Sequence, residues 1–202
     1  PDLSVLVAKI ILKMMAKKPE DRYQEGAEVI EALDNFLKEE GTEHLEKIQK
    51  ALDGRYKLIK KLGQGGMGAV YSAKALVPVD GIKEGEVVAI KVLTTDVTEE
   101  DVVRFQREAE LAASVDHPGV IGVIEFKISE AINYIVMEYV EGESVRDILR
   151  DKQLMAESET IRVMKAACMA LGAAHDKGIV HRDIKPDNLM IASDGRIKIA
   201  DF

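Results

Sequence analysis

The run Gly63-Gln64-Gly65-Gly66-Met67-Gly68-Ala69-Val70 constrains this chain most, because of what flanks it. Tyr56-Lys57-Leu58-Ile59 precedes it and Ala69-Val70-Tyr71-Ser72 continues from it, and both read as strands. A glycine-rich turn between two strands is a hairpin. Dinucleotide-binding folds use a similar glycine spacing but need a helix directly after it, and here a strand follows. Glycine lets a backbone turn tightly and approach phosphate oxygens without side-chain clash. Taken alone, the run fits a plain glycine-rich hairpin as well as it fits a phosphate cradle.

The pattern beyond the hairpin extends the sheet. Val87-Val88-Ala89-Ile90-Lys91-Val92-Leu93 is a third strand, reached through the long connection Val79-Asp80-Gly81-Ile82-Lys83-Glu84-Gly85. Thr98-Glu99-Glu100-Asp101 has the form of a capping box and opens a helix to about Ser114. Two more strands are expected over 120–128 and 134–138, then helices over 145–150 and 158–176. In the last helix Ile161, Met164, Cys168 and Leu171 share a face, so Cys168 reads as a small core residue, and the helix methionines read as core too. Ile197-Lys198-Ile199 makes a final short strand.

Upstream, Leu3, Leu6, Val7, Ile10, Ile11, Met14 and Met15 recur at helical spacing, and Pro19 stops that helix. Ala27, Ile30, Leu33 and Leu37 mark a second helix, with Gly41 as its expected C-terminal residue. A short helix capped by Thr42 then runs through Leu45, Ile48 and Leu52 to Asp53-Gly54.

Composition removes several classes of function. Lys and Arg number 28 against 36 Asp and Glu, a net charge of −8, which argues against a nucleic-acid partner. A hydrophobic fraction of 47% supports a globular core. The single cysteine, Cys168, excludes an intrachain disulfide. The apolar stretch from Val5 to Ile11 is interrupted by Lys9, is too short to span a bilayer and lacks a signal-peptide cleavage pattern. The expected location is the cytoplasm, with a membrane anchor elsewhere in a longer parent left open. His44, His117 and His175 show no metal-ligand spacing, and His117-Pro118 reads as a structural loop.

Three further motifs carry chemistry. In Val88-Ala89-Ile90-Lys91 a lysine ends an apolar run, and the following helix offers Glu108 as its carboxylate partner. His181-Arg182-Asp183-Ile184-Lys185-Pro186-Asp187-Asn188 sets a carboxylate, a lysine and an amide in one short loop. Asp183 can accept the proton of an attacking hydroxyl, and Asn188 supplies a hard oxygen suited to Mg²⁺. Asp201-Phe202 follows the last strand and gains its meaning from that position.

Four such motifs in this order resemble the eukaryotic-like serine/threonine protein kinases of bacteria, over about residues 55–202. The resemblance implies an α+β, protein-kinase-like fold: an antiparallel five-stranded lobe with one inserted helix, then an incomplete helical lobe. It implies ATP and Mg²⁺ as cofactors, and a protein Ser/Thr hydroxyl as acceptor. By resemblance Lys91 pairs with Glu108 and grips the α- and β-phosphates, Asp183 is the catalytic base, and Lys185 contacts the transferred phosphate. Asn188 and Asp201 would hold the two Mg²⁺ ions. Leu62, Gly63, Gly65, Gly66 and Gly68 would cover the nucleotide. Val70, Ala89 and Leu189 would sandwich adenine, with Met137 as gatekeeper and Glu138-Tyr139-Val140 as hinge. Arg182 suggests control by a phosphate on the activation loop.

Residues 1–40 resemble instead the end of a kinase domain, through Lys18-Pro19-Glu20-Asp21-Arg22-Tyr23, with 41–54 as linker. Arg22 matches an arginine that pairs with the glutamate of an Ala-Pro-Glu motif, and that motif is absent here. Both ends look cut. Three explanations stand: the tail of one kinase joined to the front of the next, a circular permutant, or an unrelated helical extension. The chain by itself is expected to bind Mg-ATP weakly at best and not to phosphorylate protein. A pseudokinase or scaffolding module is the rival reading.

Overall fold

The structure, a computed structural model, describes residues 5–65, 68–93, 98–129 and 132–202. It divides into two compact units, Pro1–Ala51 and Leu52–Phe202.

The first unit holds α1 (Val5–Met14), a 3-10 turn at Pro19–Asp21 and α2 (Gly26–Ala51). Arg22 Nε donates to Ala16 O at 2.8 Å and Gln24 Nε2 to Pro19 O at 2.9 Å, so side chains tie the connection between the helices. Gly41 does not end a helix, and Thr42 does not start one: α2 runs unbroken through both. The apolar positions Ile30, Leu33 and Leu37 continue in phase through Leu45 and Ile48. One interior glycine costs only about 1 kcal/mol, too little to break a stripe that stays in register. Met14 and Met15 are exposed and not core.

The second unit is built on a five-stranded antiparallel sheet. Its strands are β1 (Tyr56–Gly65), β2 (Gly68–Ala75), β3 (Val87–Leu93), β4 (Val123–Lys127) and β5 (Tyr134–Glu138), in the order β1-β2-β3-β5-β4. Helix α3 (Glu99–Ser114) is inserted between β3 and β4. The Thr98 side chain accepts from Asp101 N–H while the Asp101 carboxylate accepts from Thr98 N–H, a reciprocal cap. Phe105 and Ala109 seat α3 against Leu93 and Ile135. Residues 120–122, expected in β4, lie outside it, and Val120 instead bridges Ile199 in parallel.

A second sheet joins β6 (Gly142–Ser144), β7 (Leu189–Ala192) and β8 (Ile197–Ile199) in that order. Helices α4 (Val145–Lys152) and α5 (Glu157–His175) accompany it. The core here gathers Val163, Ala167, Ala170 and Ala174 of α5 with Leu189, Ile199 and Phe202. That corrects the expected face of α5: Ile161, Met164 and Cys168 are exposed. Both faces have helical spacing, and the small-residue face is the one that packs closely. The α+β architecture and the inserted helix agree with the sequence reading, and the three-stranded sheet adds to it.

Candidate functional site

Cross-strand register places the first site residues. Val70, Lys91 and Ile135 are partners in one row across β2, β3 and β5, and Ala89 faces Met137 in the next row on the same side. Lys91 is the one charge in an apolar strand. Its Nζ lies 3.0 Å from Asp201 Oδ1 and 3.6 Å from Glu108 Oε2. With 15% of the side chain exposed, that ammonium needs both carboxylates to offset lost hydration. Glu108 is delivered by α3, directly before the anchoring Ala109. Asp201 follows β8 with a φ of 59°, in the left-handed region.

The loop from His181 to Asn188 is held by its own polar groups. His181 is buried, its ring 4.6 Å from that of Phe202. Its Nε2 bonds Ala200 O at 2.8 Å, and its Nδ1 accepts from Asp183 N–H at 3.3 Å. A hydrogen on Nε2 satisfies both contacts. Lys185 Nζ donates to Asp183 Oδ2 at 2.6 Å, and Asn188 Nδ2 donates to Asp183 O at 2.9 Å. The hydrogen bond from Lys185 holds the Asp183 carboxyl below the usual carboxylate range, and the same contact raises Lys185. Asn188 Oδ1 and Asp201 Oδ2 accept no hydrogen bond among the described residues. Arg182, at φ 66°, is a second left-handed residue in the same place. Such conformations cost about 1–3 kcal/mol and gather at functional sites.

A cleft of about 810 Å³ collects Gly65, Gly68, Val70, Lys91, Glu108, Asp183, Lys185 and Asp201. Behind Lys91 lies a small cavity of about 30 Å³ lined by Ile135, Met137 and Phe202 among others. Not every residue singled out in the sequence lines the cleft. Leu62, Gly63, Ala89, Glu138, Val140, Leu189 and Asn188 stand outside its lining, and Met137 faces the small cavity. Ala89 and Leu189 are buried, whereas Leu62 is exposed. Gly66 lies outside the described residues.

The glycines divide by role. A Cβ on Gly63 or Gly65 would meet nothing within 4 Å, whereas one on Gly68 would stand 2.0 Å from Val92 O. Gly68 is therefore required by the β2–β3 contact itself.

Two contacts escaped the sequence. Arg146 of α4 grips Asp187, with Nη2 3.1 Å from Oδ2, and its hydrogen bonds hold that carboxyl low. Glu138 accepts from Lys198 Nζ at 2.7 Å through its carboxylate, and its N–H donates to Gly122 O at 2.9 Å. A lysine inside the three-residue apolar strand Ile197-Lys198-Ile199 was the available signal for the second contact.

Residues 56–202 match the family model described as the protein kinase domain, so the chain belongs to the protein kinase family. Its relatives are bacterial serine/threonine kinases. Over 157 residues it is 38% identical to a probable serine/threonine-protein kinase of Clostridium perfringens, covering 77% of this chain and 22% of that protein. It is 39% identical to the serine/threonine-protein kinase PrkC of Bacillus subtilis (77% and 23% covered). It is also 39% identical to the serine/threonine-protein kinase PknB of Mycobacterium tuberculosis (75% and 24% covered). The PknI kinase domain of Mycobacterium tuberculosis superposes with a TM-score of 0.60 at 32% identity, covering 73% of this chain and 59% of that one. The chain thus spans 22–24% of the length of these curated relatives.

Proposed function

We propose that this chain is the ATP- and Mg²⁺-binding, catalytic-loop portion of a protein kinase that phosphorylates serine or threonine hydroxyls. The convergence of Lys91, Asp183, Lys185 and Asp201 on one cleft carries this reading. Lys91, steadied by Glu108, engages the α- and β-phosphates. Gly63 and Gly65 have open space above them, so backbone can approach the phosphates. Val70, Ala89 and Leu189 would hold the adenine ring, with Leu62, Met137 and the backbone of Glu138–Val140 as its further contacts.

Asn188 Oδ1 and Asp201 Oδ2 are hard oxygens without hydrogen-bond partners among the described residues, the donor type that Mg²⁺ prefers. When bound, Mg²⁺ neutralises charge on the phosphates. Asp183, kept ionised by Lys185, orients the acceptor hydroxyl and takes its proton. Lys185 then sets a cation beside the oxygens where negative charge grows.

Residues 1–40 we assign to the tail of a preceding kinase domain and 41–54, which carry α2 on to Ala51 and the turn after it, to a linker, with phosphorylation of protein belonging to the longer parent. Among the described residues no helix is long and apolar enough to cross a membrane. The test has two arms. The 202-residue chain is titrated with ATP with and without Mg²⁺, and binding that is weak and Mg²⁺-dependent is expected. The full-length protein is assayed for phosphate on serine and threonine, with Asp183→Asn as control. Nucleotide binding without any transfer by the full-length protein identifies a pseudokinase and rejects the enzyme reading.

A further inference from the structure

Lys198 is a chemical anomaly. It sits in β8 between Ile197 and Ile199, with 4% of its surface exposed. Its Nζ donates to Glu138 Oε2 at 2.7 Å and reaches Val120 O at 3.4 Å. Its partner Glu138 keeps 36% of its side chain exposed, and an ion pair with one buried member is commonly no more stabilising than a well-packed apolar contact.

Its connections lead to the proposed site. Glu138 ends β5 directly after Met137, at the adenine side of the proposed site. Asp201, the proposed metal ligand, comes shortly after Lys198 in the chain. Between the two runs the segment 119–122, held from both sides. Ile199 N–H donates to Gly119 O at 2.8 Å and Ile121 N–H to Ile199 O at 2.9 Å. From the other side Glu138 N–H donates to Gly122 O at 2.9 Å. The Lys198–Glu138 pair closes this clasp, which joins the end of β5 to the strand that leads to Asp201.

We propose that Lys198 is a positioning residue which, through Glu138, sets where the Asp201 carboxylate stands relative to the bound nucleotide. The proposal rests on the nucleotide-binding reading above. A lysine needed only for folding would alter stability and weaken nucleotide binding equally with and without metal. A lysine that places Asp201 would alter the contribution of the metal.

The test is an NMR titration of the 202-residue chain with ATP, without Mg²⁺ and at saturating Mg²⁺. In Lys198→Met the metal-free affinity stays within about twofold of wild type, while the gain in affinity from Mg²⁺ falls by about tenfold, as for loss of other outer-shell supports of a metal ligand. Reversing the pair, with Glu138→Lys and Lys198→Glu together, restores most of that gain. An unchanged gain in Lys198→Met overturns the proposal and leaves the nucleotide-binding reading intact. Equal weakening with and without metal marks a purely structural role and also overturns it. A wild-type chain that binds no nucleotide overturns both. Should Lys198→Met fail to fold, Lys198→Gln takes its place and is judged by the same criteria.

Discussion

Lys91 Nζ lies nearer to Asp201, at 3.0 Å, than to Glu108, at 3.6 Å. One ammonium thus joins the sheet to Asp201, two residues past β8, and, more loosely, to α3. Lys91→Met leaves two carboxylates facing each other with no cation between them. Mg-nucleotide affinity is expected to fall by about 10–100-fold, the worth of a hydrogen bond to a charged group. Titration of variant and wild type checks this, with circular dichroism confirming the fold.

Asp183 and Lys185 make a pH prediction. The hydrogen bond from Lys185 lowers the Asp183 pKa, so the ionised carboxylate persists to lower pH than an ordinary aspartate would allow. Its contribution is present above the unfolded pKa and is lost as pH falls through the depressed value. Lys185→Met removes the cause, so the acid limb of the rate profile of the full-length protein moves to higher pH. An acid limb that stays in place rejects the coupling. Asp183→Asn lowers kcat by about 10²–10⁴, measured at saturating nucleotide.

The glycines separate packing from binding. Gly68→Ala puts a methyl 2.0 Å from Val92 O and cannot be accommodated without moving β2 from β3. A loss of stability of about 1–3 kcal/mol is expected, as for other overpacked sites. Gly65→Ala meets open space, so it keeps wild-type stability within about 1 kcal/mol and weakens nucleotide binding. Thermal denaturation paired with titration distinguishes the two, and equal stability losses would count against the division.

Thr98→Ala removes one half of the reciprocal cap on α3. The expected cost is about 1 kcal/mol. Because α3 delivers Glu108, hydrogen exchange should rise in its first turn and the Glu108–Lys91 pair should weaken. Unaltered exchange protection at Asp101 and Val102 would show that tertiary packing alone holds the helix end.

Some features written within a few residues were legible in advance. The capping box needs only Thr98 and Asp101, whereas the ion pair between Asp183 and Lys185, though only two residues apart, emerged from the structure. Helix α5 was misread because it carries apolar residues on two faces of equal spacing. Only its neighbours decide that Ala167 and Ala170 are buried while Cys168 is exposed. Gly41 was misread because a glycine ends a helix only where the flanking apolar phase also stops. The Arg146–Asp187 pair joins α4 to the 181–188 loop across 41 residues, and nothing near either residue announces the other.

By itself the sequence determined the chain order of the first five strands and of α3, the glycine hairpin and the set of chemical groups on offer, since each depends on propensity and short spacing. Tertiary structure decided the pairing of those groups. Lys91 meets Asp201 across 110 residues and Glu138 meets Lys198 across 60. At such separations local propensity carries no information about partners, and the choice falls to sheet register, close packing and the need of a buried ammonium for a carboxylate.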